Sequence, residues 1–160
     1  YLVLQSGYGQ TLNFTQESLR AAGEAYRDLL LKTAWLLTQT NDTKGKILSA
    51  AQEEFMDALT DNLNTGSALA VLWKVLSYTE ANPADQLASI LDFDQVLGLD
   101  LKSAANLLDV PGEVRSLATQ REKARAEKDW STADQLREQI NEQGFEISDT
   151  ENGPFIFRQF

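Results

Sequence analysis

Arg121, Arg125 and Lys128 recur at i, i+4 and i+7, a spacing that aligns three cations along one stripe of a 3.6-residue helix. Leu117, Ala118 and Ala124 fall on the neighbouring face, so one side is expected to pack while the other stays charged. Between Arg115 and Lys128 stand five basic residues and two acidic ones, and five minus two leaves about +3 in a chain whose total is -10. A local inversion of charge sign is what an anion-facing surface requires, and polyphosphate is the commonest large anion. Trp130 follows at a break between two helices. An aromatic ring there can stack an unpaired base, worth about 1 to 3 kcal/mol. Arg125 can donate two hydrogen bonds to a guanine edge or to phosphate, and Asp134 or Asp149 can accept from an exocyclic amine. Arg121 and Lys128 are expected to meet phosphate only. Each feature also has a plainer explanation: a solvated helix face, a Trp130 that pins the helix after it to a C-terminal hairpin, an Asp134 that answers a helix dipole, and an Arg125 paired with Asp129.

Composition removes whole classes of chemistry. The 160 residues include no Cys and no His, which takes away disulfides, thiolate nucleophiles, the usual general base and the commonest zinc ligands. A Ser nucleophile needs a base beside it, and no spacing here proposes one. Catalysis by this chain is therefore not expected. Glu53-Glu54 and the Asp92/Asp94 pair invite a metal reading, but adjacent acids on a helix point apart. Apolar residues at 42% and charged residues at 24% place the chain among globular proteins, with no apolar run long enough to cross a bilayer and no leader. Neither a membrane nor DNA is an expected partner, and a cytoplasmic location is. Tyr1-Leu2-Val3-Leu4, without an initiator Met, is read as the tail of an element that begins earlier.

The charged stripe must be positioned by the elements around it. Periodicity predicts helices over 16–39, 44–59, 67–79 and 83–97, the first capped by Thr15 with Phe14 and Leu19 closing a hydrophobic staple. Asn41-Asp42-Thr43 and Asp61-Asn62-Leu63-Asn64-Thr65 break them, and Asn82-Pro83 and Gly98 mark the start and stop of the fourth. Its Leu87, Ile90, Leu91, Val96 and Leu97 are expected to face inward, with Trp35 and Trp73 also in the core. Four such helices make an antiparallel bundle at residues 1–110. Residues 99–112 read as a linker with room for a turn of helix. Beyond it a small α+β domain, 111–160, holds helices over 113–128 and 132–143, the latter capped by Ser131. A hairpin follows, with Phe145, Ile147, Phe155 and Phe157 alternating around Asn152-Gly153. An isolated hairpin is marginal, so it has to pack on both helices.

Lys128-Asp129-Trp130, Ala133-Asp134, Arg137, Gly144, Ile147 and Asp149 before a glycine turn resemble the anticodon-binding end of cysteinyl-tRNA synthetases. Phe55-Met56-Asp57-Ala58-Leu59 through Thr65, then Ala68 to Leu72, resemble that family's helical bundle, and Tyr8 to Thr15 resemble the segment leading into it. The resemblance runs nearly the whole chain, in the family's order. It implies a class I synthetase fragment that binds tRNA(Cys), with Arg125, Trp130, Asp134 and Asp149 at the positions that read the anticodon. Absent are the family's His-Ile-Gly-His and Lys-Met-Ser-Lys-Ser signatures and its zinc ligands. ATP, magnesium and zinc are thus expected in a catalytic domain outside this chain, which holds no cofactor of its own. Ile156, Gly66 and Gly9-Gln10 depart from the family pattern. Two other classes fit the same residues: a related cysteine:amino-sugar ligase, and a free-standing acidic helical module that binds a protein.

Overall fold

The computed structural model describes residues 1–7, 10–40, 44–150 and 153–160. Expectations that rest on Tyr8, Gly9, the Asn41-Asp42-Thr43 break and Asn152 lie outside the described residues. The chain forms two compact units, Tyr1–Ala104 and Ala105–Phe160.

The first unit is a helical bundle of α1 (Gln16–Gln39), α2 (Ser49–Thr60), α3 (Thr65–Leu76) and α4 (Pro83–Leu97), preceded by a single 3-10 turn at Val3–Gln5. Thr15 opens α1 as foreseen. Its hydroxyl accepts from the Ser18 amide at 3.0 Å, and the Ser18 hydroxyl accepts from the Thr15 amide at 2.9 Å. The foreseen staple excludes little water, since Phe14 and Leu19 are 65% and 50% exposed. Ala22, Leu29, Leu30, Thr33, Ala34 and Leu36 supply the buried stripe of α1.

Helix α2 starts five residues later than its periodicity predicts, and the cause is local. Residues 44–48 run against the start of α4, where the Lys46 amide donates to Asp85 Oδ1 at 2.7 Å and the Leu48 amide to Ser89 Oγ at 2.9 Å. Side chains thus take the amides that a helix would have used. Gly45 allows the approach: a Cβ on it would lie 1.9 Å from the Ala84 carbonyl oxygen. Helix α3 is capped by Asn64, whose side chain accepts from the Ser67 amide at 3.1 Å. It carries five buried apolar residues in twelve. Trp73, expected in the core, is only half-buried, and its indole N–H donates to the Tyr1 hydroxyl at 2.8 Å. Trp35 is likewise half-buried.

Asn82 caps α4 by accepting from the Ala84 amide at 2.9 Å, and Gly98 ends it in the left-handed conformation at φ +66°. Val96 points out, 59% exposed, whereas the fully buried Phe93 takes the inward place and stacks on Phe55 with ring centroids 4.2 Å apart. Both Asp94 oxygens are engaged, accepting from the amides of Leu99 and Leu101 at 2.7 Å each. Tyr26 donates its hydroxyl to the Leu99 carbonyl at 2.7 Å. These bonds lead into a 3-10 helix, Leu101–Leu108, longer than the single turn expected within the linker.

The second unit holds α5 (Gly112–Ala126), α6 (Trp130–Glu142) and an antiparallel hairpin of β1 (Phe145–Thr150) and β2 (Gly153–Arg158). Its core joins Val114 and Ala118 of α5, Ile140 of α6, and Phe145 and Ile147 of β1, with Val110, Leu117 and Ile156 packed around them. The register sets Ile147 opposite Ile156, so Ile156 shares the core-facing side of the hairpin while Phe155 and Phe157 lie on the other. No helix among the described residues is long and apolar enough to cross a membrane.

Candidate nucleic-acid interface

In α5, Val114, Ala118, Arg121 and Arg125 follow one another at steps of four, three and four, and so share one stripe. Val114, Ala118 and Arg121 are buried, at 0%, 2% and 4% exposure, and Arg125 is where the stripe leaves the core. In β1 the residues of one face are Phe145, Ile147 and Asp149, the first two buried and the last at the rim. Both stripes therefore run from apolar to charged in the same direction, and their charged ends meet. Arg121 grips Asp149 with two hydrogen bonds, Nη1 to Oδ1 at 2.7 Å and Nη2 to Oδ2 at 3.1 Å. Arg125 Nη1 lies 2.9 Å from the same Oδ2, and Arg121 Nη1 is also 3.1 Å from Glu122 Oε1.

This placement corrects the position expected for Arg121. Read with Arg125 and Lys128 it belongs to a solvent stripe, but read with Val114 and Ala118 it belongs to the packing stripe, and the second reading is the one the fold follows. A guanidinium taken out of water loses several kcal/mol of solvation unless paired in good geometry, and the two-pronged contact with Asp149 supplies that geometry. The hydrogen bond from Arg121 holds the Asp149 carboxyl below the usual carboxylate range; partial burial opposes it, and the charges of Arg121, Arg125 and Arg137 add to it. The same bond raises Arg121 above its ordinary value.

The turn between the helices positions Trp130. Helix α5 ends at Ala126, and Lys128 adopts φ +61° as the chain reverses, its amide donating to the Arg125 carbonyl at 3.0 Å. Asp129, not Ser131, then caps α6, accepting from the Thr132 amide at 3.1 Å and from the Thr132 hydroxyl at 2.6 Å. These two bonds hold the Asp129 carboxyl low in the carboxylate range. Because the cap falls at Asp129, Trp130 becomes the first residue of α6, and its indole stands 58% exposed. The Arg125 guanidinium carbon lies 6.0 Å from the ring centroid, at the outer limit of a cation–π contact. Exposure of this degree does not suit an indole that pins α6 to the hairpin, and Arg125 pairs with Asp149 across elements, not with Asp129 four residues on.

Asp134 is exposed one turn beyond Trp130, and its charge contributes to the raised pKa of Arg121. Lys128 is exposed at the turn. The structure thus brings Arg121, Arg125, Asp149 and the Trp130 ring together, with Asp134 close enough to act electrostatically. Arg137, part of the family-like run but given no role there, belongs to the group as well, its charge felt by Asp149. Its position seven residues beyond Trp130, two turns along α6, was the available signal. Among the described residues, no three carboxylates converge as a metal site would require.

Residues 108–154 match the cysteinyl-tRNA ligase anticodon binding domain family. The chain is 37% identical over 159 residues to cysteine–tRNA ligase 1 of Burkholderia lata, an alignment covering 98% of this chain and 32% of that protein. It is 31% identical over 172 residues to cysteine–tRNA ligase of Chlamydia caviae, covering 98% of this chain and 36% of the relative. With the enzyme of that name from Novosphingobium aromaticivorans it shares 34% identity, covering 92% of this chain and 32% of the relative. The chain therefore spans about a third of the length of these relatives.

Proposed function

Given that the chain corresponds to the C-terminal region of the cysteine–tRNA ligase family and carries its anticodon binding domain at residues 108–154, we propose that it binds tRNA(Cys) and reads the anticodon. The observation that carries this reading is the half-exposed indole of Trp130 beside the Arg125 guanidinium, at the edge of a cluster of three arginines. Trp130 stacks an unpaired base. Arg125 donates to a guanine edge or a phosphate, Asp149 and Asp134 accept from exocyclic amines, and Lys128 meets backbone phosphate. Amino-acid activation, with its ATP, magnesium and zinc, belongs to a catalytic domain outside these residues, and the whole acts in the cytoplasm.

The test is filter binding of tRNA(Cys) to the Trp130→Ala and Arg125→Ala variants. Each is expected to lose about 1 to 3 kcal/mol of binding free energy, with the far-ultraviolet dichroism of the helices unchanged. Unchanged affinity in both would refute the assignment.

A further inference from the structure

We propose that Arg121 is a positioning residue of this surface: it fixes the Asp149 carboxylate for base reading and so frees Arg125 to leave that carboxylate for RNA. The inference rests on the anticodon-reading function proposed above and assigns a residue with no direct RNA contact. Arg121 is 4% exposed, too deep to touch a phosphate, and it continues the same stripe as Val114 and Ala118. Its anchor is the packed core. Asp149, by contrast, stands near the end of β1, one residue before its last, and its side chain is 45% exposed. A carboxylate on an exposed strand end keeps one orientation only if something rigid holds it, and the bidentate bond from Arg121 does so.

The division of partners on Asp149 has a further consequence. Arg125 contributes one contact of 2.9 Å while Arg121 contributes two. When Arg125 swings to an RNA group, Asp149 remains neutralised from beneath, and no bare carboxylate is left facing an incoming polyanion. Without Arg121 the carboxylate would draw Arg125 to itself. An ionised carboxylate accepts but cannot donate, so a fixed Asp149 favours a base edge that presents an amine over one that presents a carbonyl.

The experiment uses the full chain, with the anticodon stem-loop of tRNA(Cys) as probe and three further loops, each with one anticodon base replaced. Wild type, Arg121→Lys, Arg121→Gln and Asp149→Asn are titrated well below their melting temperatures, each over a series of salt concentrations. The Arg121 variants are expected to lose about tenfold discrimination at one anticodon position, the position at which Asp149→Asn also loses it. Discrimination elsewhere and the salt slope are expected to stay. Arg121→Lys keeps the charge but not the fork, so its failure to restore discrimination belongs to the expected result. Intact discrimination in both Arg121 variants would overturn the proposal, leaving Arg121 a purely structural residue. An equal loss for all loops with a salt slope shallower by about 0.7 would also overturn it, because that is the signature of a direct phosphate contact. Should wild type itself fail to discriminate among the loops, the anticodon-reading function falls first, and that outcome is visible before any variant is measured.

Discussion

Asp149 is where a single proton separates two electrostatic states of the cluster. Its carboxyl is held below its ordinary range chiefly by the hydrogen bond from Arg121. A depressed folded-state value means that the pair stabilises the fold fully above the unfolded value of about 3.9 and loses that contribution as pH falls through the lower folded value. Asp149→Asn is therefore expected to cost about 1 to 2 kcal/mol at neutral pH, less than a fully buried pair because nearly half the carboxylate faces water. Urea melts of variant and wild type should draw together as pH falls below about 4. A difference that persisted undiminished at pH 3 would show that Asn disturbs packing and not charge. Trp130 lies at the same scale and illustrates how a cap can decide exposure. With Ser131 as cap the indole would precede the helix; with Asp129 as cap it opens α6 and is presented to solvent.

Elements explain which parts of the architecture were readable from residue order. Thr15, Asn82-Pro83 and Gly98 mark helix ends through bonds made within a few residues, and all three act in the fold as their chemistry implies. The start of α2 was not readable, because residues 44–48 give their amides to Asp85 and Ser89, some forty residues away. Nor was the inward turn of Phe93 in place of Val96, which depends on a stacking partner, Phe55, in another helix. The candidate site divides the same way. Trp130, Arg125 and Asp149 are singled out by residue type and the fold brings them together, but the core position of Arg121 required choosing between two stripes that share its residue. Two substitutions test these element-level arguments. Gly45→Ala is expected to destabilise the bundle by at least 2 kcal/mol, since the added carbon would overlap the Ala84 carbonyl. Asp94→Ala is expected to cost about 1 to 3 kcal/mol by leaving the Leu99 and Leu101 amides without their acceptor. Thermal melts measure both, and a melting temperature equal to wild type would contradict either account.

At the scale of the whole molecule, the net charge of -10 and the small cationic cluster pull in opposite directions. General attraction to nucleic acid is suppressed, so affinity has to come from a few contacts in one place. With the half-buried Arg125 and the exposed Arg137 and Lys128 as the cations of the cluster within reach of solvent, two or three phosphates neutralised correspond to a slope of log affinity on log salt of about -1.4 to -2.1, at 0.7 per single-stranded phosphate. A steeper slope would point to a contact surface larger than this cluster, drawing in the exposed Arg115 and Lys123 or cations beyond them. An acidic protein-binding module would show no slope and no affinity. The most direct test of the central claim is the affinity of this chain for tRNA(Cys) against the same tRNA with its three anticodon bases replaced and everything else unchanged. If Trp130, Arg125 and Asp149 read unpaired bases, the replacement weakens binding by at least tenfold, since each good base contact discriminates by about 1 to 3 kcal/mol. Equal affinity for the two would mean that this surface binds RNA without reading it, and would contradict the account.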